Sequence, residues 1–322
     1  MITMRRGLLY PALLLLMPAV LRAQTDADGV MMSKYNACVG ASYGFGSWNE
    51  YWEGTYHRNN QNLGTVSTQM VGIMGIYGIS RKVNVVVGAP YIWTHSTAGT
   101  LHGQRGFQDL SAWLKWRVLE QNTDVGALSV FALGGASVPM TNYIADYLPL
   151  SIGLQSRTLS ARLTADYRQR HFFVTLSGTY TWRSNITIDR NSYYTTSLHL
   201  TDQVDMPNMA SEMFRVGYRD GDWWVAEAVV SNMNTLGGFD IRKNDMPFPS
   251  NKMNATMVGA HVKHTLRSVD GLSVDLDGGY TVAGRNVGQS VMFDAGIFYV
   301  LHFSKKAMKH SSDQHSTSTS TN

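Results

Sequence analysis

The chain has 322 residues, with 27 Lys+Arg against 23 Asp+Glu and a single cysteine, Cys38. One cysteine excludes an intrachain disulfide and any cysteine-cluster metal site. Charged residues reach only 16%, against roughly 25% in soluble domains, while 30 Gly, 16 Tyr and 8 Trp are abundant; that balance argues against an ordinary cytosolic enzyme. A mean hydropathy of −0.16 looks soluble, yet it is also the average of strands that alternate apolar lipid-facing and polar lumen-facing residues.

Residues 1–23 read as a signal peptide. Arg5 and Arg6 precede an apolar run from Leu8 to Val20, and Leu21-Arg22-Ala23 precedes the expected cut before Gln24. The run contains Pro11 and Pro18 and is short of the roughly 20 residues a spanning helix needs. Residues 24–33 follow as an N-terminal periplasmic segment, either folded into the barrel mouth or frayed.

From residue 34 the sequence shows twelve stretches of period-two alternation. The first sets Tyr35, Ala37, Val39, Ala41, Tyr43 and Phe45 against Lys34, Asn36 and Ser42. The second, about 63–77, sets an apolar face of Val66, Met70, Met74 and Ile76 against Thr65, Ser67 and Gln69. The third carries Val83, Val85, Val87, Ala89, Tyr91 and Trp93. The fourth carries Leu110, Ala112, Leu114, Trp116 and Val118, with Lys115 and Arg117 opposite. A fifth covers about 125–138 and is rich in glycine and alanine. The sixth opposes Leu159 to Tyr167 with Arg162 and Asp166, and the seventh opposes Phe172 to Trp182 with threonines and serines. The eighth carries Ala210, Phe214, Val216 and Tyr218 with Arg215 opposite; Glu212 breaks its apolar face, so it belongs beyond the bilayer or at a bulge. The ninth places Glu227 opposite Trp224 to Val230, and the tenth His261 and Lys263 opposite Val258 to Leu266. The eleventh places Asp275 and Asp277 opposite Leu272 to Val282. The twelfth, Val291 to Phe303, is the cleanest, with Asp294 and His302 across from it.

Short connections with turn signals such as Asp220-Gly221-Asp222 alternate strictly with longer polar ones. This rhythm predicts an all-β transmembrane antiparallel β-barrel over 34–304, with about twelve strands, short periplasmic turns and long extracellular loops. It places the protein in the outer membrane of a Gram-negative bacterium, with lipid as its surroundings. Trp93, Trp182, Trp223, Trp224 and Tyr299 suit interfacial girdles. The first and last strands are expected to pair, because the backbone has no other hydrogen-bond partners in hydrocarbon. Residues 305–322, rich in Ser, Thr and Lys, have too little apolar surface to fold and read as a disordered periplasmic tail. Removing Arg5, Arg6 and Arg22 with the leader, and Lys305, Lys306, Lys309 and Asp313 with the tail, leaves residues 24–304 at −1. The basic balance therefore gives no support to a nucleic-acid partner.

Strand parity assigns Lys115, Arg117, Arg162, Asp166, Arg215, Glu227, Lys263, Asp275, Asp277 and Asp294 to the lumen, together with His261. Bases concentrate on strands four, six, eight and ten, and acids on strands eleven and twelve. Opposed rows of this kind select solutes in a pore, and a filling network of paired charges is the alternative. On the first reading, replacing Lys115 and Arg117 with Ala shifts ion selectivity toward cations.

No nucleophile elbow, phosphate loop or zinc pattern occurs. His261 and His264 fall on opposite faces of one strand, and His302-Phe303-Ser304 has no carboxylate partner. No enzyme activity, catalytic residue, metal or cofactor is expected. The first loop, with Trp48, Tyr51, Trp52, Glu53 and Arg58, is suited to ligand contact or to an inward constriction, and oligomeric state is left open.

Tyr77-Gly78-Ile79-Ser80, then Val83 to Pro90-Tyr91, then Gly106-Phe107-Gln108-Asp109-Leu110 with Lys115, resemble the outer-membrane transporter family labelled MetA-pathway of phenol degradation. Its members show a Y-G-I-T turn, a strand ending in Pro-Tyr and a G-x-G-D-L lead-in to a lysine-bearing strand; here Gln108 replaces the usual glycine. The resemblance is sharpest over 70–120. It implies a passive, porin-like channel or facilitator for small solutes, hydrophobic or aromatic ones among them. A non-conducting structural barrel whose external loops bind a partner is the competing expectation.

Overall fold

The computed structural model describes residues 28–221, 223–242 and 245–303. The leader and the C-terminal tail lie outside the described residues. Twelve long strands form the wall: β1 (Asn36–Trp48), β2 (Val66–Gly78), β3 (Val83–Ser96), β4 (Asp109–Asn122), β5 (Ala127–Pro139), β6 (Thr158–Gln169), β7 (Phe172–Arg183), β8 (Met209–Asp220), β9 (Trp224–Thr235), β10 (Asn254–Thr265), β11 (Leu272–Arg285) and β12 (Val291–His302). Each pairs antiparallel with its sequence neighbours. β1 pairs with β12 from Asn36↔His302 to Ser47↔Val291, closing the cylinder as hydrocarbon requires.

The wall alternates as expected, with Val39, Leu163, Leu176, Leu276 and Ile297 outward and exposed, and Asn84, Lys115, Thr164 and Thr175 inward and buried. Outward aromatics gather toward both ends. Tyr77, Tyr167, Tyr218, Trp224 and Tyr299 mark the end with short turns, and Tyr43, Tyr180 and Trp182 the end with long loops. No helix among the described residues is long and apolar enough to cross a membrane; the strands span it.

One expectation changes, and two pairs of alternatives are decided. On β2 it is Val71, Ile73 and Tyr77 that face outward, so Val66, Met70, Met74 and Ile76 point into the lumen. Both faces of β2 are apolar, and only its register with β1 and β3 selects the outer one. Glu212 stands at no bulge: pairing runs unbroken through Gly178↔Glu212↔Asn232. It belongs to an outward polar band near the external rim, where Asn232 donates to Thr256 at 2.7 Å and is bonded by Asn234.

The other pair of alternatives concerns the N-terminal segment, whose described part folds into the barrel. Met32 is buried against Cys38, Ile76, Val86, Phe298 and Val300, and Gly29 lies so close to Asp166 that a Cβ there would overlap its carboxyl. Residues 28–33 thus pack against the inward side chains at that end.

Candidate functional site

The lumen is stacked in four tiers, from the external loops to the short-turn end. Outermost is a cap made by loops 140–157, 184–208 and 236–253. Ala145, Ile186, Ile188, Tyr193, Val204, Met206 and Phe248 form one apolar cluster from all three, and Arg190 pairs with Asp146 at 2.7 Å. Loop 140–157 dips inward. Tyr143 packs with Ile92, Ile152 and Met70, donates to Asp109 at 2.7 Å and accepts from the Gln155 N–H at 3.1 Å. Burial, reinforced by the Asp109 carboxylate, holds the Tyr143 phenol protonated well above its ordinary range. Thr94 on β3 donates to the Leu150 carbonyl at 2.6 Å and ties down the loop's middle.

Loop 236–253 is anchored to the top of β11 by Arg285, whose guanidinium grips Asp240 at 2.7 and 2.6 Å. This fork, with Asn286, lowers the Asp240 carboxyl to about 2. The aromatic first loop packs beside it as a small hairpin, Glu50–Glu53 with Tyr56–Asn59. Trp52 is buried there against Gly284, and Tyr51 bridges to Gly288. It serves as a rim, neither a free surface nor a constriction.

Below the cap lies a cavity of about 620 Å³. Its wall is largely thioether and aliphatic: Met70, Met213, Met257, Met292, Ile92 and Val229, with glycines between. Methionine's unbranched, polarisable side chain suits a cavity that admits ligands of irregular shape. Arg215, Asp277 and Asp294 are the charged groups at its edge.

The third tier is a belt of charges on β8–β12. Register aligns Glu227, His261, Asp277 and Asp294 in one cross-strand row, with Lys263 and Asp275 opposite each other one pleat away. Arg215 Nη1 donates to Glu227 Oε1 at 2.8 Å, and His261 Nδ1 lies 2.8 Å from the same oxygen. Asp166, on the far side, accepts from Thr175 at 2.6 Å and faces Arg219 at 4.0 Å. Arg162 donates to Thr179 at 2.8 Å and lies over the Trp113 ring.

The innermost tier is the N-terminal segment. Lys115 is fully buried, and its ammonium donates to the Asp28 carbonyl at 2.7 Å and to its carboxylate at 3.0 Å. Arg117 turns to Glu120 at 2.9 Å and to the Arg81 carbonyl.

All ten sequence-predicted residues therefore lie on the inward face, but not as two opposed rows. Acidic β11 and β12 adjoin basic β10, so most charges meet partners on neighbouring strands, and Lys115 meets the N-terminal segment. Lys115 lines no open path, which removes it from the selectivity expectation. Sequence reading missed Asp28, Arg219 and the four chamber methionines. Parity gave a signal for Met213 and Arg219 on either side of Arg215, for Met257 with His261 and for Met292 with Asp294; Met70 needed the correct face of β2, and Asp28 the fold-back of residues 28–33.

No protein-family profile and no curated protein sequence matches the chain. Among solved structures it is similar to the COG4313 outer membrane channel from Pseudomonas putida F1, at a TM-score of 0.68 and 13% identity over 87% of this chain and 99% of that one. It is more loosely similar to the translocator domain of the autotransporter NalP from Neisseria meningitidis, at a TM-score of 0.46 and 9% identity over 85% and 91%. OprD from Pseudomonas aeruginosa follows at a TM-score of 0.36 and 10% identity over 87% and 96%. The first likeness fixes the architecture: this chain has the fold of a Gram-negative outer-membrane β-barrel.

Proposed function

We propose that the protein is an outer-membrane channel or facilitator for passive passage of small solutes, hydrophobic or aromatic ones among them. The observation that carries this is the 620 Å³ cavity in the barrel lined with methionine and aliphatic side chains. Its size is that of small-molecule sites generally. A thioether wall offers dispersion and sulfur–aromatic contacts and few hydrogen bonds, so it favours apolar solutes over sugars. The sequence resemblance to the family labelled MetA-pathway of phenol degradation, and the outer membrane channel of similar fold, point the same way. Arg215, Asp277 and Asp294 would set selectivity at the chamber's edge, and no residue is given a catalytic role.

The loop cap and the Lys115–Asp28 latch favour the second reading, a non-conducting barrel whose external loops bind a partner. Planar-bilayer recording and liposome swelling with refolded protein separate the two. Uptake by a deletion strain across aromatic, fatty and sugar compounds then identifies the solute. Permeation of none of them, with no ion conductance, leaves the second reading.

A further inference from the structure

We propose that the charge belt binds one divalent transition cation of the zinc class, held by His261 Nε2 and the carboxylates of Asp275 and Asp277. One ligand atom from each of these residues lies within 4.8 Å of the other two. The residues share the inward faces of adjacent strands, with His261 directly opposite Asp277. Tetrahedral zinc at about 2.1 Å from its ligands holds them roughly 3.4 Å apart, a spacing that side-chain rotation reaches from here.

The imidazole is oriented for this role. Its Nδ1 lies 2.8 Å from Glu227 Oε1, and an ionised carboxylate only accepts, so Nδ1 carries the hydrogen. Nε2 of the neutral ring then presents its lone pair toward Asp275, whose Oδ2 is 3.9 Å away and beyond hydrogen-bond reach. A carboxylate behind the far nitrogen is how metal-binding histidines are commonly held. Glu227 is itself fixed by Arg215.

Three more observations point to an ion. Asp275 is 8% exposed, and its Oδ1 is sealed from solvent beside the Gly296 backbone without a well-aligned hydrogen bond, a costly state for a carboxylate. A cavity of about 90 Å³ adjoins the three residues, between the chamber and the N-terminal segment, which is room for an ion and its water. The same cavity is also lined by Arg215, Arg219, Lys263, Glu227 and Asp28. Asp277 and Asp294 stand directly opposite each other, a repulsive pair without a compensating charge nearby. Mixed imidazole and carboxylate donors favour zinc, nickel or copper over magnesium or calcium. Spacing along one strand offers no such site, because these ligands assemble across two.

The test is calorimetric titration of refolded full-length protein with zinc chloride at pH 7 after chelator treatment, which does not depend on conduction. The expected result is one saturable site that His261→Ala and Asp275→Asn each weaken more than about tenfold, with Glu227→Gln about tenfold weaker. Millimolar magnesium leaves it unchanged. Heat-dependent gel mobility confirms that each barrel is folded, and Asp275→Asn, close in shape to the native residue, guards against misfolding. Zinc binding that His261→Ala leaves untouched overturns the proposal, as does no saturable binding or equal competition by magnesium.

Discussion

The two halves of the lumen are built on different physics. Toward the loops, the chamber is apolar and is held open by a cap that rests on the wall at Tyr143, Leu150 and Asp240. Toward the short turns, the bore carries charged groups beside a small apolar cluster around Met32 and is filled by residues 28–33, latched through the fully buried Lys115. Dispersion is non-directional and tolerates solutes of many shapes, whereas a buried ion pair is specific and fails when one partner is lost. On the proposed function, the lower half sets whether the bore is open, and the upper half sets what occupies it.

The comparison breaks most sharply at the latch. Lys115→Met removes the Lys115 ammonium from Asp28, a loss of about 3 kcal/mol for a pair with one fully buried member. Residues 28–33 should leave the bore, and single-channel conductance in planar bilayers should rise severalfold. Unchanged conductance would mean that the segment does not limit flow. A smaller effect is expected in the chamber. Met292→Lys puts a charge on its apolar wall and should lower uptake of apolar solutes about tenfold, equivalent to about 1.4 kcal/mol, while conductance of small ions changes little.

The cap gives the finer tests. Tyr143→Phe deprives the Asp109 carboxylate of its donor, which costs about 1–3 kcal/mol locally. Amide hydrogen exchange across 140–157 should accelerate, with the barrel strands unaffected. The smallest effect is at Asp240, whose carboxyl is lowered to about 2. Its contribution to loop anchoring is complete above about pH 4, the ordinary carboxylate value, and is lost as pH falls through about 2. Because the pair is solvent-exposed, Asp240→Asn should cost under about 1 kcal/mol and should flatten the acid limb of loop exchange between those pH values.

Much of this was legible in the chain. β12 could be read residue by residue because Val291, Phe293, Ala295 and Ile297 alternate with Asp294 and Gly296. β2 was misread because both of its faces are apolar, so parity alone carried no sign. The lumen side of Lys115 was legible, but its partner Asp28 was not, since 87 residues of sequence separate them. The charge belt was foreseen as opposed rows because reading along strands says nothing of which strands adjoin in depth.

The sequence by itself determined the twelve strands, their closure from first to last and the shared parity of the lumen charges. Those follow from a two-residue period and from a solvent that offers the backbone no hydrogen bonds. Tertiary structure alone decided what the inward residues meet. Register set Glu227, His261, Asp277 and Asp294 in one row, and chain fold-back delivered Asp28 to Lys115. Contacts across strands and between distant segments depend on three-dimensional placement, which no local periodicity encodes.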